Sequence, residues 1–519
     1  MKICLVNPPR LLRPMSATQK SAPPLGLAYI ASILNNLGHQ VCAIDCIAEA
    51  PYKYHRFNGD IVLNGLNEQQ LLQLIPNNVD VIGFSLMFSG NWLHNRILID
   101  AVGERFPNAT IIAGGEHVTA AANLCFEQTK HLKACVLGEG EETIAELINA
   151  IEKNTDLSSV AGIAFRDDEN KVRHTPARVR IRNLDEIPLP QWDIFPIEKY
   201  TEHDISFGIN YSDIVSLPLL ATRGCPYTCT FCSSPQMWGT KYQMRSVQSV
   251  ADEMELYYNK YKARNFDFYD LTAIINKHWI IELCKTIKDR NLQITWQIPA
   301  GTRSEAIDAE VAKWLYKSGC KIITYAPESG SEETLKAIKK KISIDKMLAS
   351  IRYSRNAGMN VKINFIIGFP NERHLNIWHN IWFLIKASYA GANDMAPAVF
   401  SPYPGSELYN KLKNNGEINE RQDAYFEEII NVDTFWDIKF YNQNIPTFIL
   451  RFYLFFYLFV FYTSNFLFYP GRLIKTIKNL VSHNYESRGE MTLGELMKRR
   501  KVKIEDYYLR QNEVITEKI

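Results

Sequence analysis

Along residues 1–150 short apolar runs alternate with amphipathic stretches, the pattern of a doubly wound, flavodoxin-like parallel sheet covered by helices. Residues 3–6 read as the first strand and 25–37 as a helix closed by Gly38; further strands are predicted at 41–44, 81–85 and 110–113, the last at 134–137, and a helix at 142–152. Residues 151–210 are rich in charge and proline, including Asp185-Glu186-Ile187-Pro188-Leu189-Pro190, and read as a linker. From 211 to about 415 strands and helices alternate again, with strands predicted at 214–221, 266–270, 295–298, 321–325, 361–367 and 398–400. Residues 416–519 read as a helical region containing an aromatic segment at 447–469.

Length changes this picture little, since 519 residues call for two or three domains. Charge weakens the case for one class of partner. Lysine plus arginine at 58 against aspartate plus glutamate at 56 leaves a net charge of +2, so no nucleic-acid partner is expected. The N-terminus runs from Met1 straight into a strand and Asn7-Pro8-Pro9, with no signal-peptide pattern, which points to the reducing cytoplasm.

Ligands of open parallel sheets sit beyond the carboxyl ends of the strands. Those ends carry Ser85-Leu86-Met87, Gly114-Gly115-Glu116-His117 and Gly138-Glu139-Gly140-Glu141. Glycine pairs there let a large planar or phosphorylated ligand approach the backbone, but tight turns in any such domain read the same way.

The second alternation carries the sharpest chemistry. Cys225, Cys229 and Cys232 stand in Thr222-Arg223-Gly224-Cys225-Pro226-Tyr227-Thr228-Cys229-Thr230-Phe231-Cys232. Three thiolates spaced C-x3-C-x2-C can hold three corners of an iron–sulfur cube, leaving the fourth iron open to a ligand. A zinc site would need a second pair at ligand spacing, and after Cys232 only the isolated Cys284 and Cys320 remain.

This loop, with Phe231 before its last cysteine, resembles the motif of the radical S-adenosylmethionine enzymes. The resemblance implies a partial (β/α)6 barrel with the cluster loop after its first strand. It also implies a 4Fe–4S cluster whose open iron chelates the amino and carboxylate groups of S-adenosylmethionine. An electron from the cluster, supplied by an external flavodoxin- or ferredoxin-type donor, then releases a 5′-deoxyadenosyl radical. On this sequence Phe231, Asp270, Arg303, Glu328 and Gly368 fall at the implied adenosylmethionine positions, with Arg303 facing the carboxylate and Glu328 the ribose or amine. Arg303 also reads as a surface ion pair, and Glu328 as part of a helix start before 332–339. Ala326-Pro327 stands where the family pattern has Gly-x. Tyr403, in Pro402-Tyr403-Pro404-Gly405, reads as a substrate-pocket residue or as part of a rigid turn.

The region ahead of the loop resembles the cobalamin-binding domain that precedes the radical domain in one large subclass, through Asn7-Pro8-Pro9, residues 114–117 and residues 138–141. The implied cobalamin residues are Asn7, Ser85, Met87, Gly114, Gly115, His117, Gly138 and Gly140. The Asp-x-His-x-x-Gly string that supplies a histidine to cobalt elsewhere is missing, and residues 10–24 hold no histidine. Cobalt without a protein histidine is therefore expected, or else a degenerate domain that binds nothing. His117 reads as a loop residue hydrogen-bonded near the cofactor.

No cysteine follows Cys320, so no C-terminal auxiliary cluster can be built; Cys4, Cys42, Cys46, Cys125 and Cys135 fall mainly in apparent strands and read as small hydrophobes. The resemblance as a whole implies a cobalamin-dependent methyltransferase acting on an unactivated carbon of a small or lipid-like molecule. One adenosylmethionine would methylate cob(I)alamin and another would yield the radical that takes a substrate hydrogen. Two alternatives stay open: a non-methylating radical reaction such as the ring closure of anaerobic porphyrin cyclases, and a cobalamin-binding sensor or scaffold, against which the intact cysteine triplet argues.

Residues 452–469 carry no charge and are packed with phenylalanine and tyrosine, between Arg451 and a basic flank of Arg472, Lys475 and Lys478. The length reaches the roughly 18 residues of a candidate span, but Thr463-Ser464-Asn465 interrupts it and tyrosine favours the interface. A buried or dimer-forming helix, an in-plane helix giving peripheral membrane contact, and a true span all remain open.

Overall fold

The computed structural model describes residues 1–13, 21–203, 205, 208, 214–430, 438–482 and 485–499. Its first unit is built from β1 (Lys2–Asn7), α1 (Leu25–Asn36), β2 (Gln40–Asp45), β3 (Val81–Ser85), α2 (Trp92–Arg105), β4 (Thr110–Gly114), α3 (Glu116–Gln128), β5 (Leu132–Val136), α4 (Glu141–Glu152), β6 (Ile163–Arg166) and β7 (Val172–His174). The strands form one sheet in the order β7-β6-β5-β4-β3-β1-β2. Strands β1 to β5 are parallel, as the doubly wound reading requires. Their apolar runs are buried on both faces, as in Val81-Ile82-Gly83-Phe84 of β3. Gly38 does end α1, at φ 85°, donating its N–H to the carbonyl of Asn35.

One expectation fails here. The strand read as the last is followed by the hairpin β6–β7, which extends the sheet antiparallel from β5 within the stretch read as linker. An antiparallel edge hairpin needs only three or four residues per strand, and Val172-Arg173-His174 carries no apolar run to mark it. The loop after β1 also holds a strand, Arg10–Leu12, which pairs with Ile61–Asn64 and through it with Tyr54–Asn58 above the main sheet.

The second unit alternates β8 (Ser216–Leu219), α5 (Val247–Lys260), β9 (Asn265–Phe268), α6 (Lys277–Asp289), β10 (Thr295–Thr302), α7 (Ala309–Lys317), β11 (Cys320–Glu328), α8 (Ile344–Ala357), β12 (Asn360–Ile367), α9 (His374–Ala390) and β13 (Asp394–Val399). Its six strands are all parallel and lie side by side in chain order, a partial (β/α)6 barrel. Strands β10 and β11 run further than their sequence suggests. Pro299-Ala300-Gly301 and Ala326-Pro327 look like breakers, but the ladder shifts register past each, between Ile298 and Thr302 and between Tyr325 and Glu328. The bulges carry Arg303 and Glu328 to the C-terminal rim.

The C-terminal region contributes α10 (Asp423–Ile430), α11 (Thr447–Phe468), α12 (Pro470–Ser482) and α13 (Arg488–Arg499). Helix α11 lays Leu450, Tyr453, Leu454, Tyr457, Phe461 and Asn465 inward, a stripe at three- and four-residue spacing that packs on α9 and β13.

Candidate active site

The cysteine loop leaves β8 through Thr222–Arg223, which pairs antiparallel with Gln243–Met244 and so closes the excursion at its base. Gly224 sits at φ 81° with the carbonyl oxygen of Lys241 only 2.3 Å from where a Cβ would stand, so no other residue fits. Within the loop the N–H of Cys232 donates to the carbonyl of Cys229 (3.1 Å), and that of Thr230 to the carbonyl of Ile338 (3.0 Å). All three thiols are free and half-buried.

Burial pushes the Cys229 thiol up to about 11, the Lys340 ammonium works against that, and thiolates at Cys232 and Cys225 would repel it. Burial raises Cys232 too. Cys229 and Cys232 resist ionisation, which suits a polycationic centre that supplies the compensating charge. Among the described residues no three His, Cys, Asp or Glu side chains gather closely enough for a single metal ion. Three free thiols on one loop fit a cluster bound at three corners.

The strand ends of the second unit surround this loop. Phe231 faces Phe369 of the Gly368-Phe369-Pro370 turn, ring centroids 5.7 Å apart, with the Lys340 ammonium 6.0 Å from its ring. Glu328 stands at φ 64°, a left-handed backbone rare for a residue with a side chain, and its carboxylate meets Lys340 at 3.0 Å. The helix that follows is capped by Ser331 instead, whose hydroxyl accepts from the N–H of Thr334 (3.3 Å). Arg303 stacks 3.6 Å from the ring of Tyr227, inside the cysteine loop, while its guanidinium is held by Glu305 at 2.9 Å and by the Lys341 carbonyl. Gly368, at φ 87°, donates its N–H to Glu372 (2.8 Å). Asp270 is fully buried and accepts from the Thr222 hydroxyl and, at 3.4 Å, from the N–H of Ala221; burial raises it to about 6. It braces the base of the loop.

Lys340 and Tyr227, which join these residues, carry no local signal that separates them from their neighbours in sequence. Nor does Asn380 on α9. Its side-chain oxygen accepts from the Ser329 hydroxyl (2.7 Å) and the Gly330 N–H (2.8 Å), and its nitrogen donates to Glu372 (3.0 Å) and to the Tyr457 hydroxyl (2.9 Å). One amide thus ties the turns after β11 and β12 to α11.

In the first unit Asn7 donates to Asp45 at 2.9 Å. Ser85, Gly114 and Gly115 close β3 and β4, and Met87 is exposed beyond them. Gly115, at φ 118°, passes so near Leu86 that a Cβ would lie 2.7 Å from its carbonyl oxygen. Gly138, at φ 70°, donates to the Thr119 hydroxyl (3.1 Å), and Gly140 begins α4. His117 is no loop residue: it lies in the first turn of α3, buried beside Trp92 and Phe426, with Nδ1 3.0 Å from the Ser89 hydroxyl. Burial lowers it to about 3, so the ring is neutral.

A cavity of about 300 Å³ opens between the two units. The first supplies Arg10, Leu11 and Leu12, the turn from Met87 to Asn91, and Glu116; the second supplies Ser233, directly after Cys232, together with Tyr403 and Pro404; Ile429 and Ile430 of α10 close it. Among the described residues no histidine lines it. The turn backbones and apolar side chains of this wall fit a large planar cofactor held by backbone and apolar contacts.

Glu139 and Glu141 were read only as parts of a glycine turn. They are buried, and both meet Arg223 at the foot of the cysteine loop, Glu139 at 3.4 Å. Arg180 holds Glu139 from the other side at 3.3 Å. The acidic turn of one unit thereby fixes the cluster loop of the other. The alternation of glutamate and glycine at 138–141, next to an arginine beside the first cysteine, was the available signal.

Two family models match, the Radical SAM superfamily over residues 219–379 and the B12 binding domain over 16–148. The chain is 30% identical over 471 residues to a cytidylyl-2-hydroxyethylphosphonate methyltransferase of Streptomyces wedmorensis, covering 84% of this chain and 87% of that one. It is 29% identical over 462 residues to an uncharacterized methyltransferase of Pyrococcus horikoshii, covering 88% and 93%. Among solved structures, the radical S-adenosylmethionine methyltransferase TsrM from Kitasatospora setae, with cobalamin and a 4Fe–4S cluster bound, superposes with a TM-score of 0.61 at 16% identity over 80% of this chain and 78% of that one.

Proposed function

The chain belongs to the cobalamin-dependent radical S-adenosylmethionine methyltransferases, and we propose that it methylates an unactivated carbon of a small or lipid-like molecule. Its cofactors are a 4Fe–4S cluster, S-adenosylmethionine and cobalamin. When bound, the cluster supplies an electron for cleavage of adenosylmethionine, and cobalamin supplies a methyl carrier. Cys225, Cys229 and Cys232 would hold the cluster, and the glycine turns at 114–115 and 138–140 would cradle cobalamin.

The single observation that carries this reading is the cavity walled by the strand ends of both units, with Ser233 on its rim directly after the last cysteine. Leu11, Leu12, Phe88, Ile429 and Ile430 give that wall apolar surface against which a bound cofactor and substrate would pack. The Ser233 hydroxyl donates to Glu116 and so joins the cysteine loop to α3. Burial raises Glu116, and this hydrogen bond partly offsets the rise. Glu328 and Lys340 form a buried charged pair next to Phe231, suited to the amine, ribose and carboxylate of adenosylmethionine. Tyr403 on the far wall would contact the substrate. The reducing cytoplasm suits an oxygen-labile cluster, and an external flavodoxin- or ferredoxin-type protein would reduce it.

Reconstituted protein given cobalamin, reductant and methyl-labelled adenosylmethionine tests the reading on extracts of small molecules and lipids. Deoxyadenosine together with label in a product supports methyl transfer. Deoxyadenosine with an unlabelled, dehydrogenated product supports ring closure, and neither product supports a scaffold. Cys225→Ala, Cys229→Ala and Cys232→Ala should each lose most of the about four irons per chain and all deoxyadenosine release. Full activity in any of them would overturn the assignment.

A further inference from the structure

Helix α11 buries one face and leaves the other in solvent, and its neighbours continue the exposed side. The outer row of α9 is Leu375, Trp378, Trp382 and Tyr389, that of α11 is Phe448, Phe452, Phe459 and Leu467, and that of α12 is Ile474, Ile477 and Val481. Trp382 is 57% exposed, Phe459 65%, Ile474 71% and Val481 78%. The α9 and α11 rows meet through ring contacts, Trp378 with Phe456 at 6.5 Å and Phe456 stacked between Phe452 (5.6 Å) and Phe459 (6.3 Å), and α12 packs against α11. A contiguous apolar patch of this kind marks an interaction surface.

Charge says which partner it fits. Helices α9, α11 and α12 carry Lys386, Arg451, Arg472, Lys475 and Lys478 and not one aspartate or glutamate, in a chain whose acids and bases otherwise balance at 56 and 58. Arg472 is engaged by the carbonyls of Gly391 and Ala392, and Lys475 by Glu486. Lys386 lies 5.5 Å from the Trp382 ring, and among the described residues neither it nor Lys478 has a carboxylate partner. A two-fold contact with a second copy would set these cations against each other. Anionic headgroups would complement them, while tryptophan and phenylalanine enter the acyl boundary.

We propose that α9, α11 and α12 together form an in-plane docking face for an anionic lipid bilayer. The helix does not span. The Tyr457 hydroxyl accepts from the Asn380 amide, Asn465 donates to the Ala392 carbonyl, and Tyr453 lies 3.0 Å from His374, so α11 stays along the barrel. The inference rests on this surface alone and stands whether or not methyl transfer is the reaction.

The test is flotation of full-length, reconstituted protein with vesicles of equal parts phosphatidylcholine and phosphatidylglycerol, against phosphatidylcholine alone. The expected result is binding to the anionic vesicles with a blue shift of tryptophan emission, weakened by salt. Lys386→Gln with Lys478→Gln should weaken binding roughly thirtyfold. Trp382→Ser with Phe459→Ser should abolish it, with iron content unchanged. No vesicle binding, binding indifferent to both variant pairs, or a solution dimer that Trp382→Ser with Phe459→Ser splits would overturn the proposal. Should the aromatic pair fail to fold, the exposed lysine pair still decides it.

Discussion

Arg223 joins the foot of the cysteine loop to the first unit. It is 5% exposed, its guanidinium meets Glu139 and Glu141, and it stacks near Tyr29 (5.3 Å) and Trp238 (5.6 Å). Removing one partner of a buried pair leaves uncompensated charge, at a cost of about 3–5 kcal/mol. Arg223→Met should therefore lower unfolding stability by about that amount, and equilibrium denaturation measures it. A change under about 1 kcal/mol would show that the pair is dispensable. His117 sets a second expectation. Its folded pKa, depressed by burial to about 3 from 6.5, means that the unfolded chain binds its proton first. Stability is intact above pH 6.5 and is lost as pH falls from there toward 3, with a slope of up to about 1.4 kcal/mol per pH unit. His117→Gln should flatten that slope, leaving the parts due to His94, which burial lowers to about 4, and to His55, which burial also lowers. An unchanged pH profile would refute this account of the ring.

At the scale of elements, α11 is tied to the site through α9. Asn380 bridges the Ser329-Gly330 turn, Glu372 under Gly368, and the Tyr457 hydroxyl. Burial raises Glu372 to about 7, so its charge depends on the N–H of Gly368 and the Asn380 amide that donate to it. Tyr457→Phe removes one hydroxyl from this network and should cost about 1 kcal/mol in unfolding stability without altering iron content. Asn380→Ala strands several buried groups at once and should cost more than Tyr457→Phe. The reverse order would mean that the amide does not organise the network.

Across the whole molecule, the aromatic helix is both core and surface. Leu450, Leu454 and Phe461 are buried on it, each worth about 1.5–3 kcal/mol, with Tyr453 and Tyr457 besides. That sum is comparable to the whole stability of about 5–15 kcal/mol expected for a domain. Truncation after Asn444 should therefore yield a chain that aggregates and shows no cooperative unfolding transition. A soluble, cooperatively folding truncate would show α11 to be an appendage.

The cysteine triplet stood out because its three thiols lie within eight residues, where spacing alone limits what they could hold. The parallel strands were legible for a similar reason, since burial on both faces demands apolar runs. The partners of those residues were not. Glu139 and Arg223 are 84 residues apart, Asn380 and Tyr457 are 77 apart, and Lys340 reaches Phe231 across the barrel rim. The contact of Asp270 with the Thr222 hydroxyl, 48 residues away, was not legible either. The hairpin β6–β7 lay unseen in a charged stretch because an edge strand needs pairing more than hydrophobicity. Local spacing and burial were written in the chain itself. Which charges would share a low-dielectric contact, and which face of the aromatic helix would stay in solvent, was decided only when the two units and the C-terminal helices packed together, since burial and pairing are properties of the contact and not of either segment alone.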